Sequence, residues 1–209
     1  MSNPVQVRDK KHLEIVLSRI CCFRNLKQRL EQYSTPSDLA AYLLWKAYIS
    51  GDLHEKILAD FGAGTGILAI GSAILGAKMV YAVEIDRDAI EIMQKNIDMY
   101  PVKEKIKIIK SDVANFGTQV DTVIMNPPFG TWQRRADRVF LDSAIRCADT
   151  VYSIHKYTDQ FISWLNSVLP CEWQMCWSEI RDFPIPRSYA HHKKKVYKVK
   201  VILLKIERR

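Results

Sequence analysis

The chain has 209 residues, 48% hydrophobic and 26% charged, which supplies a sizeable core for one ordinary domain. No apolar run approaches the roughly 20 residues that span a bilayer, so a helical membrane protein is excluded. The formal net charge of +8 favours a polyanionic partner such as nucleic acid and says nothing about fold.

Met1 to Arg8 contains no signal-peptide core, so the expected location is the cytoplasm. The five cysteines are odd in number and none has C-x-x-C spacing. Neither a disulfide framework nor a zinc site is expected, and buried reduced thiols are.

From Lys10 to about Leu30 the apolar residues Leu13, Val16, Leu17, Ile20, Leu26 and Leu30 recur at helical spacing. This helix is expected to act as a lid or packing element on one side of the site. Thr35-Pro36 reads as the start of a second helix over Leu39 to Ile49, with proline in its first turn and Ser50-Gly51 after its end.

Strands and helices then alternate. Short apolar strands are predicted at Ile57–Phe61, Met79–Glu84, Ile106–Ile109, Asp121–Met125 and Thr150–Ile154. Helices are predicted after the first glycine turn to Ala77, then over Asp88–Met99, Ala136–Arg146 and Thr158–Leu169. This order implies an α/β fold with a parallel sheet covered on both faces. Gln174–Ile180 and Val196–Ile206 have no helix between them and read as an antiparallel hairpin at one sheet edge. Residues 1–50 would form an N-terminal helical element of a single domain spanning 1–209, with 51–209 as its core.

Asp60-Phe61-Gly62-Ala63-Gly64-Thr65-Gly66 links the first strand to a helix. Glycine allows a tight turn and close approach of backbone to ligand. A dinucleotide fingerprint needs glycine where Ile67 stands, and a P-loop needs a lysine that is absent. The D-x-G-x-G-x-G spacing suits a ligand with no pyrophosphate to clasp. Glu84 ends the second strand, where a carboxylate can accept ribose hydroxyls; Asp112 follows the third and can accept from an adenine amino group. Helix capping by Asp86 or Asp88 and turn capping by Asp112 are the structural alternatives.

Asn126-Pro127-Pro128-Phe129 ends the fourth strand, where open α/β sheets gather their chemistry. The Asn126 side-chain oxygen and the Pro127 carbonyl can each accept one hydrogen of a conjugated amine. That draws the nitrogen towards tetrahedral geometry and frees its lone pair for a sulfonium methyl. Proline holds the carbonyl in place, and Phe129 can stack on a planar target. Alignment is the main requirement, and neither a metal nor a strong base is called for. A rigid strand-end turn is the plain structural alternative.

These residues resemble the class I methyltransferases of the N6-adenine type. Within them the chain is similar to the methyltransferase-like 5 family, which modifies adenosine in small-subunit ribosomal RNA. Gln32-Tyr33-Ser34-Thr35-Pro36 resembles the family's Q-Y-x-T segment. The resemblance implies cofactor contacts at Gln32, Tyr33 and Thr35. It also places Asp60, Gly62, Gly64, Glu84 with Ile85, Asp112 with Val113, and Asn126 on the S-adenosylmethionine motifs. Asn126, Pro127, Pro128 and Phe129 become the catalytic segment, and the Gly130-Thr131 that follows is a family hallmark. Asp137 with Phe140-Leu141, Val151 to Lys156, and Pro186 to Lys195 also align. Trp132 to Ala136 departs from relatives that carry Lys, Asn and Gly, and Ser34 stands where proline is usual.

The same resemblance implies a small zinc-containing activator protein pairing along a sheet edge, for which Met79–Val83 is the candidate strand. Arg134 and Arg135, with Arg138, would grip RNA phosphates or simply lie on an exposed helix face; Lys193 and Lys194, in the run His191 to Lys195, would contact RNA or lie in a solvated loop. His155 is expected to be structural rather than a base. Of the tryptophans, Trp132 stands beside the target motif, while Trp164, Trp173 and Trp177 are expected in the core or on a hairpin face. Three other functions remain open: methylation of a protein glutamine amide, methylation of DNA, or a non-catalytic cofactor-binding RNA module.

Overall fold

The computed structural model describes residues 6–23, 27, 30–129, 136–186 and 196–209. The strands are β1 (Ile57–Phe61), β2 (Met79–Glu84), β3 (Ile106–Lys110), β4 (Thr122–Met125), β5 (Thr150–Lys156), β6 (Trp173–Pro186) and β7 (Val196–Arg208). They form one sheet in the order β3-β2-β1-β4-β5-β7-β6. The first five are parallel, and β7 and β6 add as an antiparallel hairpin. The α/β architecture predicted from the alternation is the one observed.

Both faces of the central strands are buried, which is why they read as nearly continuous apolar runs. Alternate residues feed two cores. Leu58, Val80, Ile124 and Tyr152 meet one, and Ala59, Phe61, Val83, Val123 and Val151 meet the other. The first core is closed by α1 (Lys10–Leu17), α2 (Ser37–Ile49), α3 (Ile67–Ile74) and α4 (Arg87–Asp98). The second is closed by α5 (Ala136–Cys147), α6 (Asp159–Val168) and the segment holding Val113, Phe116 and Val120. Leu13, Leu17 and Leu39 share the core of the sheet, so the N-terminal helices are packed into it.

Three expectations change. The first helix stops at Leu17 rather than near Leu30, because tertiary bonds divert the chain. The Asn96 side chain accepts from Cys21 N at 2.9 Å and donates to Cys21 O at 3.0 Å, while the Tyr100 hydroxyl donates to Val16 O at 2.9 Å. The β2 strand is not an edge: β1 and β3 pair with it on either side, which leaves β3 and β6 outermost. Four cysteines are exposed and only Cys147 is buried. Cys21 and Cys22 lie in the diverted segment after α1, Cys171 in a turn and Cys176 on an outer strand. Smaller differences are boundary shifts, the largest being the hairpin strands, which run longer than their apolar cores.

Candidate active site

Strand order reverses between β1 and β4, and the crevice at their carboxyl ends is the place where open α/β sheets bind ligands. The glycine turn forms its floor. Gly62 N and Ala63 N both donate to Val83 O, at 2.9 and 3.0 Å, which clasps the turn to β2. Gly62 and Gly64 have φ of +68° and +55°, and a Cβ at either would press on the rings of Phe140 (3.0 Å) and Phe23 (3.1 Å). Gly66 gives α3 no side-chain cap, and the buried Asp60 supplies one by accepting from Ala69 N at 2.9 Å. Asp60 therefore sits behind the turn and is absent from the lining of the cleft. Its second oxygen, Oδ1, has no partner among the described residues, and burial pushes its carboxyl up to about 8.

Glu84 lines the cleft at the end of β2. Its Oε2 accepts from Gly64 N at 2.8 Å, and its Oε1 accepts from Ile85 N and Asp86 N at 2.9 and 2.8 Å. One carboxylate thus fixes the glycine turn and the β2 exit together. Burial raises its pKa, and the three backbone donors pull it back. Asp86 caps α4 through Asp88 N at 3.3 Å, so the capping alternative holds for it. Asp86 also accepts from Gln32 Nε2 at 2.6 Å and pairs with Lys27. The Gln32 oxygen accepts from Lys27 N at 3.0 Å. Gln32, expected as a cofactor contact, lines the cleft with both ends of its amide engaged by protein; it anchors the N-terminal segment to β2.

Asp112 caps the 3-10 turn Val113–Asn115 through Ala114 N at 2.9 Å and lines the cleft as well, so both of its readings coexist. Ile85 and Val113 line the same end, and Ile85 is left 53% exposed there. The uncovered Ile85 side chain beside two strand-end carboxylates matches a purine nucleoside, with faces to cover and hydroxyl and amino groups to bind.

At the other end of the cleft, Asn126 follows β4. Its Nδ2 donates to Thr35 Oγ1 at 2.9 Å. That bond fixes the amide and leaves Asn126 Oδ1 buried without a partner among the described residues. A buried acceptor without a donor costs about 1–3 kcal/mol, and it belongs to a residue that lines the cleft. Thr35, expected at the cofactor, lines the cleft with its hydroxyl on Asn126. Pro127, Pro128 and Phe129 continue the wall. The Phe129 ring stacks on Tyr33 at 6.2 Å and meets Phe183 edge-on at 5.5 Å. Phe129 is thereby held from two sides, by the N-terminal segment and by the hairpin.

Gly130, Thr131, Trp132, Arg134, Arg135, Lys193 and Lys194 lie outside the described residues. Arg138 pairs with Asp142 one turn on, at 3.0 Å. His155 is buried and neutral: burial lowers its pKa to about 3, its Nε2 is 3.0 Å from Ser153 Oγ, and its ring stacks on Phe161 at 4.6 Å. It takes the structural role expected of it. Trp173 is buried and Trp177 packs against Tyr42, as expected of core and hairpin residues. Phe23 and Phe140 also line the cleft and had no signal of their own, although Phe140 belongs to a segment that aligned.

Residues 43–127 match the ribosomal protein L11 methyltransferase (PrmA) family. The chain is 38% identical to an uncharacterised protein of Methanocaldococcus jannaschii, over 95% of this chain and 94% of that one. It is 35% identical to the zebrafish (Danio rerio) rRNA N(6)-adenosine-methyltransferase METTL5, over 91% of this chain and 95% of the relative. The chain belongs to the METTL5 family. The crystal structure of a candidate RNA methyltransferase from Pyrococcus horikoshii superposes with a TM-score of 0.90 at 38% identity, covering 97% of this chain and 99% of that one. As a METTL5-family enzyme the chain is an S-adenosylmethionine-dependent methyltransferase with the Rossmann-like class I fold. The site residues fit that cofactor: Glu84, Ile85, Asp112 and Val113 suit its nucleoside, and the glycine turn leads towards Asn126. The bound cofactor supplies an electrophilic methyl group on a sulfonium.

Proposed function

We propose that the chain methylates N6 of adenosine in ribosomal RNA, on the small subunit. The observation that carries this reading is the buried, unpartnered Asn126 Oδ1, set by its bond to Thr35. Adenine N6 is a poor nucleophile because its lone pair is delocalised into the ring. Asn126 Oδ1 accepts one amine hydrogen and the Pro127 carbonyl the other, so the nitrogen pyramidalises and its lone pair turns to the methyl group. As the N–C bond forms, the methyl–sulfur bond breaks with its electron pair staying on sulfur, and the nitrogen sheds one proton to water. Phe129 offers the adenine a stacking face. Orientation supplies most of the rate, since no step needs a strong base.

The net charge of +8 and the name of the zebrafish relative support RNA as the substrate. The PrmA match covers residues 43–127, less than half of the chain, so it does not carry the substrate assignment. We also propose that a small zinc-containing activator pairs with the outer strand β3, where Ile106, Ile108 and Ile109 are only partly covered.

The test is incubation with methyl-labelled cofactor, ribosomal RNA and ribosomal proteins, followed by nucleoside analysis. Labelled N6-methyladenosine from small-subunit RNA is expected. Label in protein, or in another nucleoside, overturns the reading.

A further inference from the structure

A second hollow lies beyond the target motif, at the carboxyl end of β5. It shares Pro128 and Phe129 with the cofactor cleft and is lined further by Asp137, Arg138, His155, Lys156, Phe161 and Trp164, among others. Asn126 and Pro127 line the cleft but not the hollow. An amine held by those two acceptors is therefore not what fills it. Its volume of about 850 Å³ accommodates a whole nucleotide, within the range of small-molecule sites.

We propose that this hollow binds the nucleotide next to the target adenosine in the RNA strand. The proposal rests on the RNA reading above. Its walls match the parts of a nucleotide one by one. The buried Phe161, itself stacked on the buried His155, packs against Trp164 with ring centroids 5.6 Å apart, so the Trp164 ring is held in place on the same wall that Phe129 lines. Trp164 is half-buried, with ring surface left to cover a base. Asp137 lines the hollow, and although its Oδ1 accepts from Arg138 N at 3.0 Å, the carboxyl remains a hydrogen-bond acceptor suited to a base that carries an amino group. Lys156 is exposed and, among the described residues, makes no ion pair, so its ammonium is available for a phosphate. Arg138 lies at the same rim but is engaged by Asp142, so Lys156 is the cation that carries the phosphate contact. A strand crossing Phe129 would thus place one base at Asn126 and its neighbour against Trp164.

The test measures binding of a fluorescent single-stranded RNA with one adenosine and randomised neighbours, alongside methyl transfer to the same pool. Trp164→Ala should weaken binding about tenfold, flatten the base preference at one neighbouring position and leave the salt dependence unchanged. Trp164→Phe should restore most of the affinity. Lys156→Ala should weaken all sequences alike and reduce the salt slope by about one. Cofactor affinity should match the wild type in all three, which also certifies the fold. Unchanged RNA affinity and preference in both alanine variants would overturn the subsite. Binding that responds as expected, with label passing only to protein, would overturn the RNA reading while leaving a nucleotide-binding hollow.

Discussion

The two ends of the site differ in how their polar atoms are spent. At the cofactor end nearly every carboxylate is committed within the chain before any ligand arrives. Glu84 holds three backbone N–H groups, Asp86 caps α4 and anchors Gln32, and Asp112 caps a turn. At the target end Asn126 Oδ1 lines the cleft buried and without a partner among the described residues, whereas the other such oxygen, Asp60 Oδ1, sits behind the turn and outside the cleft. The first arrangement makes a rigid frame whose shape is itself the binding site. The second, on the proposed reading, leaves an unsatisfied bond for the substrate amine to complete.

That division can be broken from either side. Glu84→Ala removes the acceptor of three backbone donors, and unpaired buried donors cost about 1–3 kcal/mol each before water or relaxation helps. We expect a stability loss on the order of 3 kcal/mol, with cofactor affinity falling in parallel, by chemical denaturation and calorimetry. A variant that loses neither would show that the frame does not depend on this carboxylate.

A smaller effect comes from Asp60, behind the turn. Its native carboxyl keeps a proton up to about 8, against 3.8 for an unperturbed aspartic acid. Folding therefore takes up a proton between those values, and stability falls as pH rises through that window. Asp60→Asn cannot titrate, so its stability should fall less steeply there, with a residual slope from Glu84, whose pKa is also raised. Equal slopes in both proteins would mean that Asp60 is already ionised at low pH.

The cofactor end was largely legible in the sequence because its signals are local. A glycine turn between an apolar strand and a helix, followed by acids at two successive strand ends, needs no tertiary knowledge. Bonds between distant residues were not legible. Nothing near Cys21 announces that Asn96, 75 residues away, will end the first helix early. Gln32 and Thr35 were found by resemblance as cofactor contacts, yet their polar groups meet Asp86 and Asn126. Strand order escaped for the same reason: β2 has the composition of any buried strand, and only pairing places β3 outside it. The hollow at the end of β5 draws Asp137, His155 and Trp164 from three separate elements, so no single motif could reveal it.

The central claim is that Asn126 Oδ1 accepts the target amine and that Thr35 aims it. Single-turnover methyl transfer and equilibrium cofactor binding, measured together on Asn126→Ala and Thr35→Val, test it most directly. Asn126→Ala should slow transfer by about 10²–10³-fold and Thr35→Val by roughly tenfold, with cofactor affinity close to wild type in both. Transfer at the wild-type rate in Asn126→Ala, or a loss that merely follows cofactor affinity, would contradict it.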